Sequence, residues 1–120
     1  MTSNRRLRDS FKAAFNGFRE SLIFERSFKI MAVAAALVIV AMIYFPTSRL
    51  EKVVLLAAVL AVLVLELINS AVERIMNVLE PAEDEQVRVI KDLMAAIVLL
   101  ASIGAAIVGV LILSPYIFNR

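Results

Sequence analysis

Three long apolar runs dominate the pattern of hydrophobic and polar positions along the chain. A helix rises about 1.5 Å per residue, so the first run covers about 24 Å. The hydrocarbon core of a bilayer is roughly 30 Å thick, and Phe24 and Phe28 extend this run at the interface. The pattern predicts an all-α membrane protein with three transmembrane helices. The apolar runs are Ile30 to Phe45, Val53 to Leu65 and Leu93 to Leu113, and the predicted helices are 29–46, 50–73 and 91–114.

A further helix is predicted at 5–28, ahead of the first transmembrane helix. Its apolar residues recur at helical spacing and form one stripe, while Arg5, Arg8, Lys12 and Arg19 fall mostly off that stripe. Basic amphipathic helices of this kind lie in the headgroup layer of anionic membranes. Because its phenylalanines favour lipid over a phosphate backbone, the segment is interpreted as an amphipathic surface helix, and nucleic acid is not expected as a partner. The stripe consists of Leu7, Phe11, Ala14, Phe15, Phe18 and Leu22.

Lysine and arginine are distributed unevenly between the two sides of the predicted helices. Seven precede the first apolar run and three lie between the second and third runs, whereas the segments on the other side, 46–52 and 114–120, hold three. The positive-inside rule therefore predicts that the N-terminus and the second loop are cytoplasmic. The first apolar run begins behind a long polar stretch and lacks a small-residue cleavage site, which argues against a signal peptide.

The composition fits a single membrane domain over residues 1–120. Hydrophobic residues make up 62% of the chain and charged residues 20%, against about 45–50% and about 25% in soluble domains. The absence of histidine and cysteine excludes a Ser-His-Asp triad, an imidazole-bound metal and a disulfide framework. The three glycines form neither a Walker A loop nor a GxGxxG motif. Carboxylates, amides, hydroxyls and amines are left to carry any catalysis.

A polar face interrupts the second transmembrane helix. Glu66, Asn69, Ser70 and Glu73 are spaced i, i+3, i+4 and i+7, which places them on one helical face. A carboxylate in the bilayer interior costs several kcal/mol, so this face is predicted to point into the protein. Interhelical hydrogen bonding by Asn69 and Ser70 is the structural alternative. The two glutamates on the same helical face favour a functional site, because helices can pack against each other without a cluster of acidic residues.

This polar face has a shallow end and a deep end. Glu73 is predicted near the cytoplasmic surface, with Glu66 about 10 Å deeper. The shallow end, together with Lys91 and Asp92, suits a water-borne ligand, whereas the deep end suits a lipid headgroup. Paired carboxylates suit Mg²⁺, which binds carboxylates together with substrate phosphates, and lysine adds a counter-charge for phosphate. Glu25, just before the first transmembrane helix, is either a solvated flank or a second metal ligand beside Glu73.

The motif Glu66-Leu-Ile-Asn-Ser-Ala-Val-Glu73-Arg74, followed by Lys91-Asp92, resembles the signature of the small bacterial diacylglycerol kinases and the related undecaprenol kinases. The resemblance covers nearly the whole chain, including Gly17 in the surface helix and the acid and base pattern of residues 25–29. Members of this family are homotrimers of three-span subunits. The resemblance implies an ATP- and Mg²⁺-dependent lipid kinase of the bacterial cytoplasmic membrane that converts diacylglycerol to phosphatidic acid.

The resemblance also implies a role for each polar residue collected above. Glu66 is the catalytic base that takes the proton of the lipid hydroxyl, and Ser70 lies beside it at the substrate. Glu25 and Glu73 hold the Mg²⁺ that bridges the ATP phosphates. The implied nucleotide-binding residues are Arg6, Glu25, Asn69, Glu73, Lys91 and Asp92.

The sequence leaves several alternatives open. Undecaprenol is the alternative substrate, and Ile107-Val-Gly109 with Ser114-Pro115 in the third helix is slightly closer to that branch. A channel or assembly protein is the non-enzymatic alternative, but apolar stretches at 30–45 and 53–65 argue against a polar conducting path. The acidic loop 80–85 is either an adenine contact or a solvated turn. Which subunit of a trimer donates which site residue stays open as well.

Overall fold

A computed structural model of the chain describes residues 2–79, 82 and 84–118. The described residues form four helices: α1 (Thr2–Phe24), α2 (Arg26–Tyr44), α3 (Arg49–Leu79) and α4 (Glu85–Phe118). Three of these, α2, α3 and α4, are long and apolar enough to cross a membrane. The predicted all-α architecture with three membrane-length helices is therefore confirmed for this part of the chain. Residues 80, 81 and 83 of the acidic loop 80–85 lie outside the described residues.

The N-terminal helical segment is divided at Glu25. The sequence pattern predicts one helix over 5–28, whereas the backbone of Glu25 is extended, with φ −109° and ψ 114°, and α2 starts at the next residue. Phe18 of α1 packs edge-on against Phe28 of α2, with ring centroids 5.4 Å apart. Phe28 is fully buried. This aromatic contact joins α1 to α2 and places Glu25 at the corner between them.

Helices α3 and α4 both run past the predicted membrane segments. An apolar pattern locates only the part of a helix that meets lipid, and the polar residues that follow can continue the same helix. At the start of α4, the Asp84 carboxylate accepts a hydrogen bond of 2.9 Å from the backbone N–H of Val87. This is an N-cap, which satisfies an otherwise unpaired donor of the first turn. Pro115 lies within the last turn of α4, where the loss of one backbone donor does not end the helix.

Helix α3 packs against both α2 and α4. The turn between α2 and α3 is closed by a reciprocal capping box, in which the Ser48 N–H donates to Glu51 Oε1 at 2.8 Å and the Glu51 N–H donates to Ser48 Oγ at 3.1 Å. The Tyr116 hydroxyl also donates to Glu51 Oε1. These contacts tie the end of α4 to the α2–α3 turn, at the end of the helices opposite Glu25.

Few side chains of the described residues are fully buried, although the helices are apolar. The buried hydrophobic residues are Phe28, Ala35, Leu55, Val87 and Val98. Long aliphatic side chains of all three membrane-length helices remain exposed, for example Leu37 at 66% and Leu100 at 73%. Such surfaces are unfavourable in water and suit contact with lipid or with other membrane helices.

Candidate functional site

Two side-chain hydrogen bonds connect the start of α2 to the polar face of α3. Ser27 Oγ donates to Glu66 Oε1 at 2.7 Å. In the other direction, Ser70 Oγ donates to Glu25 Oε1. Each segment thus supplies one hydroxyl donor and one carboxylate acceptor. We call Glu25, Ser27, Glu66 and Ser70 the serine–glutamate site.

Glu66 is the most deeply buried charged residue of the site. It is 3% exposed, and Ser70 one turn later is buried as well. The i, i+4 spacing explains this shared burial, because both side chains project from the same face of α3 toward α2. Burying a carboxylate is costly unless it is hydrogen-bonded, and the Ser27 hydroxyl meets that requirement. The inward direction predicted for this part of the polar face is what the structure shows.

Besides the Ser70 hydroxyl, the guanidinium of Arg74 on α3 also contacts the Glu25 carboxylate. Arg74 Nη2 lies 3.1 Å from Glu25 Oε2. The other terminal nitrogen of the same guanidinium lies 3.5 Å from Glu20 Oε1 on α1. Arg74 therefore links α1, the corner at Glu25 and α3. Its side chain is 57% exposed, so we assign this pair a positional role and little stabilisation.

The other two residues of the polar face, Asn69 and Glu73, lie at the same end of α3 but are less buried. Asn69 is half-buried and Glu73 is exposed. Among residues 2–79, 82 and 84–118, no group of three or more acidic side chains is arranged around a common metal position. The donor chemistry of Glu25 and Glu73 still fits Mg²⁺, because this ion commonly takes one or two protein carboxylates and completes its shell with phosphates and water. The metal site stays a prediction.

Three predicted nucleotide-binding residues belong neither to the serine–glutamate site nor to the polar face of α3. Lys91 of α4 is half-buried and its Nζ donates to Asn77 Oδ1 of α3 at 3.0 Å. Asp92 is exposed and its Oδ2 lies 3.3 Å from Arg88 Nη1, one turn earlier on α4. Arg6 is exposed on α1. Their role in nucleotide binding therefore stays a prediction.

The structure places three residues at the serine–glutamate site to which the sequence pattern assigned no role: Ser27, Glu20 and Arg74. Ser27 is an isolated hydroxyl between Arg26 and Phe28, and no motif distinguishes it. Glu20 belongs to a helix in which most described polar side chains are exposed. Arg74 did carry a signal, because it follows Ser70 by four residues and therefore continues the same helical face.

An apolar cavity lies between α2, α3 and α4, directly beyond the serine–glutamate site. Its volume is about 280 Å³, and its lining includes Met31 and Val62. These residues lie one helical turn from Ser27 and Glu66, on the side facing the α2–α3 turn. Ser102 also lines the cavity, and its Oγ is a buried atom without a hydrogen-bond partner in the described part of the chain. The cavity thus offers an almost entirely apolar space next to Glu66.

A second, open cavity of about 470 Å³ lies on the other side of the site, toward α1. Its polar lining comes from Glu20, Ser21, Glu25, Ser70 and Arg74. An ideal Cβ built on Gly17, which also lines it, would meet no atom within 4 Å. Glu25 and Ser70 of the serine–glutamate site line this open cavity, and the apolar cavity begins one helical turn from Ser27 and Glu66.

Comparisons with known proteins agree with the resemblance carried by the polar motif. The family described as prokaryotic diacylglycerol kinase matches residues 12–113. A diacylglycerol kinase of Synechocystis is 32% identical over 107 residues, covering 88% of this chain and 61% of that relative. A diacylglycerol kinase of Escherichia coli K12 is 29% identical over 100 residues, covering 83% of this chain and 82% of that relative. The chain thus matches less than two thirds of the length of the Synechocystis protein.

Proposed function

The chain belongs to the prokaryotic diacylglycerol kinase family, and on that premise we propose that it is an integral-membrane lipid kinase. It transfers the γ-phosphate of ATP to the hydroxyl of a membrane lipid alcohol, with diacylglycerol as the substrate and phosphatidic acid as the product. The observation that carries this proposal is the position of Glu66. Its carboxylate is buried and held by Ser27, one helical turn from Val62, which lines the apolar cavity, and one turn from Ser70, which lines the open cavity.

The two cavities support an acceptor that is polar at one end and apolar at the other. A lipid alcohol has its hydroxyl at the boundary between headgroup and hydrocarbon. With that hydroxyl at Glu66, the apolar part of the lipid extends toward the cavity lined by Met31 and Val62. The phosphate donor enters from the open side lined by Glu20 and Arg74. A water-soluble acceptor would leave the apolar cavity unused.

In the proposed reaction, Glu66 acts as the general base. It accepts the proton of the lipid hydroxyl while the hydroxyl oxygen forms a bond to the γ-phosphorus, and the bond from that phosphorus to the departing ADP oxygen breaks. Phosphoryl transfer depends mainly on positioning and charge neutralisation, so a small site is sufficient. A base must lie within hydrogen-bond reach of the proton it takes, which the boundary position of Glu66 allows.

Glu25 and Glu73 would hold Mg²⁺, which neutralises negative charge on the ATP phosphates when bound. We propose that Asn69 orients groups in the site, that Lys91 neutralises phosphate charge, and that Asp92 and Arg6 contact the nucleotide. Ser70 serves the site by holding Glu25, with the lipid substrate close by.

We further propose that the chain is a homotrimer in the bacterial cytoplasmic membrane, with its N-terminus in the cytoplasm. The distribution of lysine and arginine supports this orientation. The exposed apolar residues Leu7, Phe11 and Phe15 of α1 support contact of that helix with the membrane surface. One subunit offers few groups to enclose ATP, which supports a site completed by a neighbouring chain.

The substrate assignment is tested by comparing lipid alcohols with the purified protein. The full chain is reconstituted in mixed micelles with ATP and Mg²⁺, and phosphate incorporation is measured for diacylglycerol and for undecaprenol. We expect a higher kcat/KM for diacylglycerol. A higher value for undecaprenol would overturn the substrate assignment and retain the lipid kinase, whereas no phosphorylation of either alcohol would overturn both.

Filling the apolar cavity is expected to weaken lipid binding. Ala105 lines this cavity, so Ala105→Leu places a larger side chain in the space proposed for the lipid. We expect the KM for the lipid alcohol to rise about tenfold, which corresponds to about 1.4 kcal/mol, because the leucine side chain occupies space proposed for the lipid. The KM for ATP should stay unchanged. Ala57→Leu, on an exposed position of α3, is the matched control. Equal lipid KM values for the two variants would mean that the cavity does not bind substrate.

Mixing inactive subunits tests whether neighbouring chains share one site. Glu66→Gln chains are expected to be inactive alone, and Glu25→Ala chains nearly inactive at a Mg²⁺ concentration that is limiting for them. At that concentration, mixed trimers should recover part of the wild-type rate if the two residues serve one site from different subunits. Mixed trimers are verified by pull-down with two tags in detergent. Absence of rescue in such trimers would show that each subunit builds a complete site by itself.

A further inference from the structure

Ser27 holds the proposed base from a different helix. It is the second residue of α2, and its hydroxyl donates to Glu66 Oε1 on α3 at 2.7 Å. Serine in a first helical turn usually bonds locally to backbone groups of its own helix. Here the hydroxyl bonds instead to a residue 39 positions away in the sequence. The contact therefore fixes a side chain of α3 from α2.

The orientation of the Glu66 side chain depends on this contact, because the described residues around Glu66 offer no other hydrogen bond to it. Within the described part of the chain, Ser27 is the only hydrogen-bond partner of the Glu66 side chain. The space beyond it is apolar, since Met31 and Val62 line the adjacent cavity. A glutamate has three rotatable side-chain torsions, and a single well-placed donor selects among the orientations they allow.

We propose that Ser27 is the positioning residue of Glu66, an inference that rests on the proposed lipid kinase function. By occupying Oε1, the Ser27 hydroxyl leaves Oε2 to face the substrate hydroxyl. Ser27 does not touch the reacting atoms. It acts through the orientation of Glu66, in the way that a supporting hydrogen bond orients a catalytic group.

The hydrogen bond from Ser70 to Glu25 also fixes the proposed metal ligand relative to the proposed base. Ser70 of α3 donates to Glu25 at the corner before α2, while Ser27 donates back to Glu66. The proposed base and the proposed metal ligand are thereby held at a fixed separation by two crossed hydrogen bonds. Loss of the Ser27 bond leaves the Ser70 bond in place, so Ser27→Ala tests base orientation without deleting a proposed metal ligand.

The kinetic test uses Ser27→Ala and Ser27→Thr in the full-length protein. Ser27→Ala is expected to lower kcat about tenfold to hundredfold, the range that corresponds to one hydrogen bond to a charged group. The KM values for ATP and lipid should stay within about threefold of wild type, because the proposed binding groups are intact. Ser27→Thr retains the hydroxyl and should restore at least about a third of the wild-type kcat. Ser10→Ala, an exposed position on α1, controls for serine replacement in general.

A thermal-unfolding cycle tests the contact independently of activity. Tm is measured in detergent for wild type, Ser27→Ala, Glu66→Leu and the double variant. Coupled residues give non-additive changes, so we expect the Tm loss from Ser27→Ala to shrink when residue 66 is leucine, which cannot accept a hydrogen bond. Additive Tm changes would overturn the contact and the inference with it.

The two measurements separate this inference from the proposed function. Non-additive Tm changes combined with an unchanged kcat for Ser27→Ala would show a contact that does not position the base, which also overturns the inference. If instead Glu66→Gln retains wild-type turnover, the general-base function fails, whatever the Tm cycle gives.

Discussion

Glu66→Gln is expected to abolish phosphoryl transfer while leaving expression and oligomeric state intact. Glutamine keeps the volume of the side chain and can still accept a hydrogen bond from Ser27, but it cannot take the proton of the lipid hydroxyl. General-base catalysis typically contributes about 10²–10⁴-fold to a rate. We therefore expect kcat to fall at least about a hundredfold, measured as phosphate incorporation into lipid in mixed micelles.

Controls distinguish loss of the base from loss of the fold. Size-exclusion chromatography in detergent and Tm should show that the Glu66→Gln protein is assembled. Glu66→Asp retains the carboxylate on a side chain shorter by one methylene, so partial activity is expected there. A Glu66→Gln turnover within about threefold of wild type would rule out Glu66 as the general base.

Glu25→Ala is expected to raise the Mg²⁺ concentration needed for half-maximal rate by about tenfold or more. The substitution removes one of two proposed carboxylate ligands, and a water molecule that takes its place carries no negative charge to attract Mg²⁺. Glu73→Ala is expected to shift the Mg²⁺ dependence in the same direction. The measurement is a Mg²⁺ titration of the initial rate at saturating ATP and lipid.

Glu20 provides the matched control for this prediction. Both Glu20 and Glu25 form ion pairs with Arg74, but only Glu25 is a proposed metal ligand. Glu20→Ala should therefore leave the Mg²⁺ dependence close to that of wild type. Equal Mg²⁺ curves for wild type and Glu25→Ala would mean that Glu25 is a structural partner of Ser70 and Arg74 and that the metal is held elsewhere.

The three membrane-length helices could be predicted from the sequence because each contains a long run of apolar residues. Long apolar runs predict α2, α3 and α4 without any knowledge of tertiary contacts. The family assignment from the Glu66 to Arg74 motif is likewise confirmed. The inward direction of Glu66 and Ser70 was predictable because a carboxylate in the membrane interior must avoid lipid.

Contacts between side chains of different helices could not be predicted from the sequence. The corner at Glu25 results from the packing of Phe18 on Phe28, and no turn residue marks it in the sequence. The contact of Ser27 with Glu66 joins positions on separate helices. Helical periodicity places residues on a face, but it does not identify the side chain that faces them from a neighbouring helix.

The contacts of the loop before α4 could also be predicted only in part from the sequence. Its acidic residues suggested either an adenine contact or a solvated turn. Asp84 caps the first turn of α4 through the Val87 N–H, and the choice between an adenine contact and a solvated turn stays a prediction. An Asp before an apolar helix is a recognised N-cap signal. The apolar pattern predicted only the membrane segment 91–114, whereas α4 begins at Glu85.

The most direct test of the central claim is the fate of the γ-phosphate in the presence of the purified chain. Wild-type and Glu66→Gln proteins are incubated in parallel with γ-labelled ATP, Mg²⁺ and diacylglycerol, and label is counted separately in extracted lipid and in aqueous phosphate. The proposed mechanism predicts that wild-type protein transfers label to the lipid fraction and that Glu66→Gln does not. Label found only as aqueous phosphate, or equal lipid labelling by both proteins, would contradict it.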